Sequence, residues 1–440
     1  MTPLDATHDP ARTSWVPGAD AHPDFPIQNL PLGVFRERHG RRLPRGGIAI
    51  GDQILDLNAC LRDGLVDGEA AAAAEVADRP SLNDFLALGA AARRALRVAA
   101  SELLRRGGPG EAAHRTRPLL VPQADVEMLL PATIGDYSDF YASRHHAGNV
   151  GRMLRPDNPL LPNYHWVPIG YHGRASSVVP SGTPVVRPWG QVKDDAAPVP
   201  VFQPSRRLDY ELEVGLWIGP PNAPGEPIPI AEAGDHLAGI CLLNDWSARD
   251  VQAWEYQPLG PFLSKSFCTS ISPWIVTMEA LAPFRAPLHP RPDGDPAPLP
   301  HLHDDADAAT GAFALTLDVW LRSRGMVERG DHAVLVSRSS LRDLHWTPAQ
   351  LVAHHASNGC PLRPGDLLGT GTVSGPAPDA RGCLLERTWR GSEPFALPDG
   401  TVRRFLEDGD EVTLRGRLAR EGAVPIGLGA CTGIVLAAHA

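Results

Sequence analysis

Cysteine is scarce and scattered. The chain has six in 440 residues: Cys60, Cys241, Cys268, Cys360, Cys383 and Cys431. No CxxC pair occurs, which excludes a disulfide framework and a structural zinc site and fits a reducing cytosol. Long apolar runs are also missing. The longest, Ile426 to Ala438, is rich in glycine and too short to span a bilayer. The first residues lack the basic, apolar, small-residue order of a secretory signal. No basic stripe is present. The net charge is −10, and pairs such as Arg105-Arg106 and Arg403-Arg404 stand alone, so a nucleic-acid partner is not expected. No GxGxxG, phosphate-loop lysine or internal repeat is found. The expectation is a soluble, cytoplasmic protein without a membrane partner.

What is abundant is punctuation. There are 45 prolines and 43 glycines, spread through well-patterned sequence with 43% hydrophobic and 21% charged residues. That composition predicts irregular, β-rich globular structure with many turns rather than disorder. Length suggests two or three domains. Residues 1–24 read as a loose N-terminal arm. A small β-rich domain with helical excursions is expected over 25–130, with strands at Gly47–Gly51 and Gln53–Leu57. Its helix would begin with a cap at Ser81 and stop at Gly107-Gly108-Pro109-Gly110. From 131 to 440 a single, mostly antiparallel β domain is expected. Its strands are predicted at 208–218, 237–244, 314–322, 366–370, 382–389, 411–417 and 430–436. One helix is expected from Thr347 to about Ser357, with Pro348 at its first position and Gln350 completing a capping box. Residues 285–310, rich in Pro, Asp and His, read as a surface excursion.

The stretch Leu208 to Ile218 carries the strongest chemical signal. Leu212, Val214, Leu216 and Ile218 recur at period two, which puts Glu211 and Glu213 together on the opposite face. Two adjacent carboxylates repel, so that face is either open to water or shared around a hard cation.

Two other segments resemble cleft linings more than solvated loops. Asp136 to Gly151 packs acids, tyrosines, Arg144, His145 and His146 together. Asn244 to Thr269 contains Asp245, Arg249, Gln252 and Lys265 among aromatics and prolines. Arg249 and Gln252, three apart on a predicted helical turn, face the same way. Asp245 could equally be a helix cap. Lys265, in an apolar setting, is either snorkelling or held against anions. Three or four carboxylates with no Cys or His among them suit Ca²⁺ or Mg²⁺ rather than zinc. Gly369 to Gly375 is either a plain turn or a backbone cradle for a carboxylate. His354 and His355 read as core or capping residues, and Glu386 is either exposed or orients a histidine.

The motifs together resemble the fumarylacetoacetate hydrolase family. They are Asp136-Tyr-Ser-Asp-Phe-Tyr with Arg144, His146 and Asn149; Gly170-Tyr-His-Gly-Arg-Ala-Ser-Ser-Val; Leu208-Asp with Glu211-Leu-Glu213; Asn244-Asp-Trp-Ser-Ala-Arg-Asp; Trp254-Glu-Tyr-Gln-Pro-Leu-Gly-Pro-Phe; and Gly371-Thr-Val-Ser-Gly. The likeness runs from about Phe25 to the C-terminus. It implies an N-terminal SH3-like barrel, a C-terminal mixed β-roll and a homodimer, a mostly β (α+β) fold. It implies calcium ligands at Asp139, Glu211, Glu213 and Asp245, and a magnesium site involving Asp245, Lys265 and Thr269. His146 would be the catalytic base, oriented by Glu386. Arg249, Gln252 and Lys265 would surround the developing charge. Tyr141, Arg155, Tyr171, Gln252, Tyr256 and Thr372 would contact substrate. Cys268, where the family usually has glycine, departs from the pattern beside Thr269.

The activity so implied is hydrolysis of a carbon–carbon bond in a 1,3-diketo acid, fumarylacetoacetate, at the end of tyrosine breakdown. A cation chelated by both diketo oxygens would stabilise the enolate leaving group, and His146 would activate water. The alternatives are an acylpyruvate hydrolase or 2-oxo-acid decarboxylase of the same superfamily, which generally lack the long N-terminal domain, and a non-catalytic binding protein that kept the fold.

Overall fold

The computed structural model describes residues 3–40, 42–194 and 196–439. Near the N-terminus five strands form an antiparallel sheet in the order Leu120–Pro122, Gln53–Asp56, Arg45–Ile50, Leu32–Glu37 and Val126–Met128. Helices Gly68–Ala77 and Gly89–Leu104 pack beside it. Two expectations fail here. The cap at Ser81 does not form, because its hydroxyl turns to Asn83, and Gly89, at a φ of +82°, breaks the helical stretch in two. The glycine-rich segment at 107–110 does not end the helical region either. Pro109 opens another helix, Pro109–Thr116, as proline at a first helical position can.

The N-terminal segment is not loose. Thr7, His8, Ser14, Val16 and Ala19 are buried, and the Trp15 indole donates to the Leu103 carbonyl. Polar composition concealed this, because polar side chains such as Thr7, His8 and Ser14 are buried along with Val16 and Ala19.

The larger region is built on an eight-stranded mixed sheet. Its main path runs Gly170–His172, Tyr137–Phe140, Leu367–Gly369, Leu212–Ile218, Leu237–Asp245, Thr269–Ile271 and Val178–Pro180. A second sheet, in the order Val334–Ser340, Leu315–Arg322, Glu411–Leu418, Ile426–Leu436 and Val185–Val186, packs against it around one large apolar core. Most pairings are antiparallel, and the whole is a mostly β, α+β fold. Helix Pro348–Ala356 has the expected capping box between Thr347 and Gln350.

Strand Leu212–Ile218 lies between two cores and is buried on both faces. Leu212, Val214, Leu216 and Ile218 enter the core shared by the two sheets. Trp217, on the face of Glu211 and Glu213, enters a second core built with the N-terminal helices and with Cys241, Leu243 and Ile275. The acidic face is therefore interior, and the open-water alternative is excluded. Segment 382–389 is not a strand. Cys383 precedes a short helix, Leu384–Arg387. The excursion at 285–310 folds back on the rest of the chain: Leu302 is buried and Asp295 pairs with Arg144.

Candidate active site

Neighbouring strands bring the acids together. In register across the sheet, Tyr171 faces Asp139, Asp139 faces Gly369, Gly369 faces Gly215, and Asp245 faces Thr269. One oxygen from each of Asp139, Glu211, Glu213 and Asp245 lies within 4.8 Å of the others, and all four residues are buried. Two glycines make room. A Cβ on Gly369 would stand 2.5 Å from Asp139 Oδ1. Gly371 has a φ of +75°, and its N–H donates to Glu213 Oε2 at 3.0 Å and Asp139 Oδ1 at 3.2 Å. The Gly369–Gly375 loop is thus a backbone cradle, here for the protein's own carboxylates.

Two cations face these acids. Lys265 Nζ is 2.5 Å from Glu211 Oε2 and 2.8 Å from Asp245 Oδ2. Arg249 Nη2 is 2.7 Å from Glu211 Oε1, and its Nη1 donates to Gln252 Oε1 at 3.1 Å. The hydroxyls of Thr269 and Tyr171 donate to Asp245 at 3.0 and 2.9 Å. Burial and the Asp245 charge push the Asp139 carboxyl up to about 8. Burial and Asp139 push Glu213 higher than an ordinary carboxyl. Burial acts against Glu211 too, but Lys265, Arg249 and His146 outweigh it and hold that carboxyl low. The influence of His146 on Glu211 is electrostatic and puts the histidine in the neighbourhood of the carboxylate cluster.

His146 lies in helix Arg144–Leu154, capped by the Ser143 hydroxyl, which accepts from the His146 N–H. Its Nδ1 is 2.6 Å from Glu386 Oε2. Asn149 and Ser374 donate to the two Glu386 oxygens, each at 2.8 Å. Burial would raise the Glu386 carboxyl, but His146, Asn149 and Ser374 hold it at about 2. Tyr141 sets its ring edgewise to the imidazole, with centroids 5.2 Å apart. His145 lines a cavity of about 480 Å³ with Arg144, Asn149 and Arg152. Of the two adjacent histidines, His146 is the one paired with Glu386. His355 hydrogen-bonds Ser138.

Thr372 is buried, with a hydroxyl that has no partner. Arg155 and Tyr256 are half-buried, and among the described residues no hydrogen bond or ion pair joins either side chain to the carboxylates or to His146. One expectation needs correction. The Lys265 ammonium, charged and donating to two carboxylates, has no lone pair for a cation, so its side chain is no metal ligand. It holds Glu211 and Asp245 instead.

Asp209 was missed as a site residue. It is fully buried and accepts from Arg249 Nε at 2.9 Å and from the N–H groups of Leu384 and Leu385 at 2.7 and 2.9 Å. One carboxylate so anchors both Arg249 and the helix carrying Glu386. A signal existed: Asp209, Glu211 and Glu213 continue the same period of two.

Comparison with known proteins bears on what this arrangement belongs to. Residues 28–131 match the family described as Fumarylacetoacetase N-terminal, and residues 136–435 match Fumarylacetoacetate (FAA) hydrolase C-terminal. This chain belongs to the fumarylacetoacetate hydrolase family. Fumarylacetoacetase of Arabidopsis thaliana is 48% identical over 425 residues, covering 95% of this chain and 97% of the plant protein. The Homo sapiens fumarylacetoacetase is 48% identical over 430 residues, covering 97% and 99%. Among solved structures, a fumarylacetoacetate hydrolase from psychrophilic Exiguobacterium antarcticum aligns at a TM-score of 0.50 and 17% identity, covering 93% of this chain and 99% of that one, which supports the family fold. No helix among the described residues is long and apolar enough to cross a membrane.

Proposed function

We propose that this chain hydrolyses the carbon–carbon bond of 4-fumarylacetoacetate to fumarate and acetoacetate, the last step of tyrosine breakdown. Near-full-length similarity to proteins named fumarylacetoacetase supports the substrate. The observation that carries the chemistry is a His146–Glu386 dyad beside four buried carboxylates.

The four acids fit a divalent cation. Among the described residues, the cations paired with them are Lys265 and Arg249, which Asp209 already shares, and Glu213 Oε1 is buried without a partner. An all-oxygen set of this kind suits Ca²⁺ or Mg²⁺, held by Asp139, Glu211, Glu213 and Asp245, with Thr269 beside Asp245. An ion bound there would supply Lewis-acid chemistry to the substrate.

The chain's own groups do the rest. Glu386 keeps the His146 proton on Nδ1, leaving Nε2 to accept a proton from water. The hydroxide oxygen adds to the carbonyl carbon, and the carbon–carbon electron pair leaves on the acetoacetate enolate. Lys265, Arg249 and Gln252 surround the developing charge, a contribution of roughly 3–4 kcal/mol per well-placed donor. Lys265 is a proton source for the leaving carbon. Tyr141, Tyr171, Arg155, Tyr256 and Thr372 contact substrate in this reading.

The test follows the diketone absorbance. His146→Ala should lower kcat at least about 100-fold. Enzyme stripped with EDTA should be inactive and recover with Ca²⁺ or Mg²⁺, and Glu213→Gln should weaken that recovery. Near-normal kcat in His146→Ala sinks the base assignment.

The family dimer also has a surface to use. Leu259, Phe262 and Leu263 are 95%, 70% and 51% exposed, and Trp254 joins them to the hairpin bearing exposed Val201 and Phe202 through Gln191. We assign this apolar face to a second copy. Leu259→Glu with Phe262→Glu should shift light-scattering mass from dimer to monomer.

A further inference from the structure

Cys383 puts a thiol into the dyad. Its Sγ is 3.3 Å from Glu386 Oε2 and 3.9 Å from His146 Nδ1, and those two atoms are 2.6 Å apart. All three residues are buried. The hydrolysis has no use for the thiol.

The triangle is close to one face of a tetrahedral metal site. Zinc bonds of about 2.0–2.3 Å place tetrahedral donors roughly 3.4–3.6 Å apart. Two edges already lie within a few tenths of an ångström of that. The third opens when the proton between His146 and Glu386 leaves.

We propose that Cys383, His146 and Glu386 form a site for a transition-metal dication of the Zn²⁺ or Cd²⁺ type, separate from the four-carboxylate cluster, and that filling it switches the dyad off.

Donor chemistry sorts the two sites. Thiolate and imidazole select zinc-like ions, whereas four carboxylates select hard ones. Charge agrees: Glu386 is an anion, and the Arg249 charge is already taken by Asp209 and Glu211. Burial and Glu386 push the Cys383 thiol up, so binding must displace its proton as well, and affinity should rise with pH. The consequence for catalysis is direct. A metal on Nδ1 fixes the remaining ring proton on Nε2, and that nitrogen can no longer accept one from water.

Binding is tested without activity. The full-length protein in excess Ca²⁺ is titrated with Cd²⁺, following the ultraviolet thiolate-to-cadmium band. One Cd²⁺ per chain is expected, displaced by Zn²⁺ and not by Mg²⁺. The band should vanish in Cys383→Ser and persist in Cys268→Ser, which removes the buried thiol beside Thr269. His146→Ala should weaken binding at least about tenfold. Absence of the band, or its survival in Cys383→Ser, overturns the site. Should Cys383→Ser fail to fold, X-ray absorption of the zinc-loaded protein decides: one sulfur ligand at about 2.3 Å is expected, and none overturns it. Inhibition rests on the hydrolase reading and is tested separately. Zn²⁺ should inhibit the parent at concentrations at least about tenfold below those needed for Cys383→Ser; equal sensitivity overturns the switch while leaving hydrolysis intact.

Discussion

Asp139 and Glu213 hold their protons more tightly in the folded chain than carboxyls do in water, because burial and their acidic neighbours oppose ionisation. An unfolded Asp titrates near about 4. Between there and about 8, the folded Asp139 keeps a proton that the unfolded chain has lost. Folding is then penalised as pH rises through that window, and Glu213 adds to it. A divalent ion favours the ionised forms and reverses the sign. Thermal melts of EDTA-treated protein should therefore show Tm falling from pH 5 to pH 8. With saturating Ca²⁺ the fall should disappear and Tm should rise. A flat metal-free profile would argue against four carboxylates converging with too few cations to balance them. The sequence showed Glu211 and Glu213 sharing a strand face but not that the face is interior. Period two looks the same whether the second face meets water or another core, and only packing of Trp217 against the N-terminal helices closes it.

At the scale of elements, the short helix Leu384–Arg387 shows how one distant residue sets local structure. The run that holds it, Cys383-Leu-Leu-Glu386, reads as an apolar strand. Two free N–H groups at its start, those of Leu384 and Leu385, are met by Asp209 from 175 and 176 positions away. No local pattern encodes that. By contrast, helix Pro348–Ala356 carries its whole capping box in its own sequence and was legible at once. Asp209 thus positions Glu386 through the helix and Arg249 through a salt bridge. Asp209→Asn retains one acceptor and leaves the buried Arg249 underpaired, a cost of about 3 kcal/mol. Its kcat should fall about 10- to 100-fold with KM little changed, and the pH profile should shift because Glu386 no longer holds His146 rigidly. A stability loss with an unaltered pH profile and kcat would reduce Asp209 to a structural role.

For the whole molecule, the back of the active-site sheet is also the core of the N-terminal region. Val178, Trp217, Ala238, Cys241, Leu243, Ile271, Ile275 and Leu367 pack with residues from the first 132 positions in one cluster. Composition marks a change of texture near residue 130, but it cannot show that the two parts share a core. Between them lies an ion pair: Arg93 Nε is 3.2 and 3.1 Å from the two Glu279 oxygens, with both side chains 2% exposed. Arg97, also buried, donates to the carbonyls of Gln28 and Asn29 and to the Thr7 hydroxyl. The Arg93–Glu279 pair and the shared core couple the two parts energetically, while Arg97 ties the N-terminal segment together, so unfolding should be a single calorimetric transition instead of two. Glu279→Ala leaves the Arg93 guanidinium buried and unpaired and should cost about 3–5 kcal/mol. Replacing both partners by leucine removes the stranded charge and should recover most of that loss. Because strand Leu212–Ile218 carries Glu213 on the face that meets this interface, Glu279→Ala should also weaken Ca²⁺ binding measured by calorimetry, whereas the double leucine variant should restore it. Two separate melting transitions, with cation affinity indifferent to Glu279, would mean that the N-terminal region is only attached to the site and does not support it.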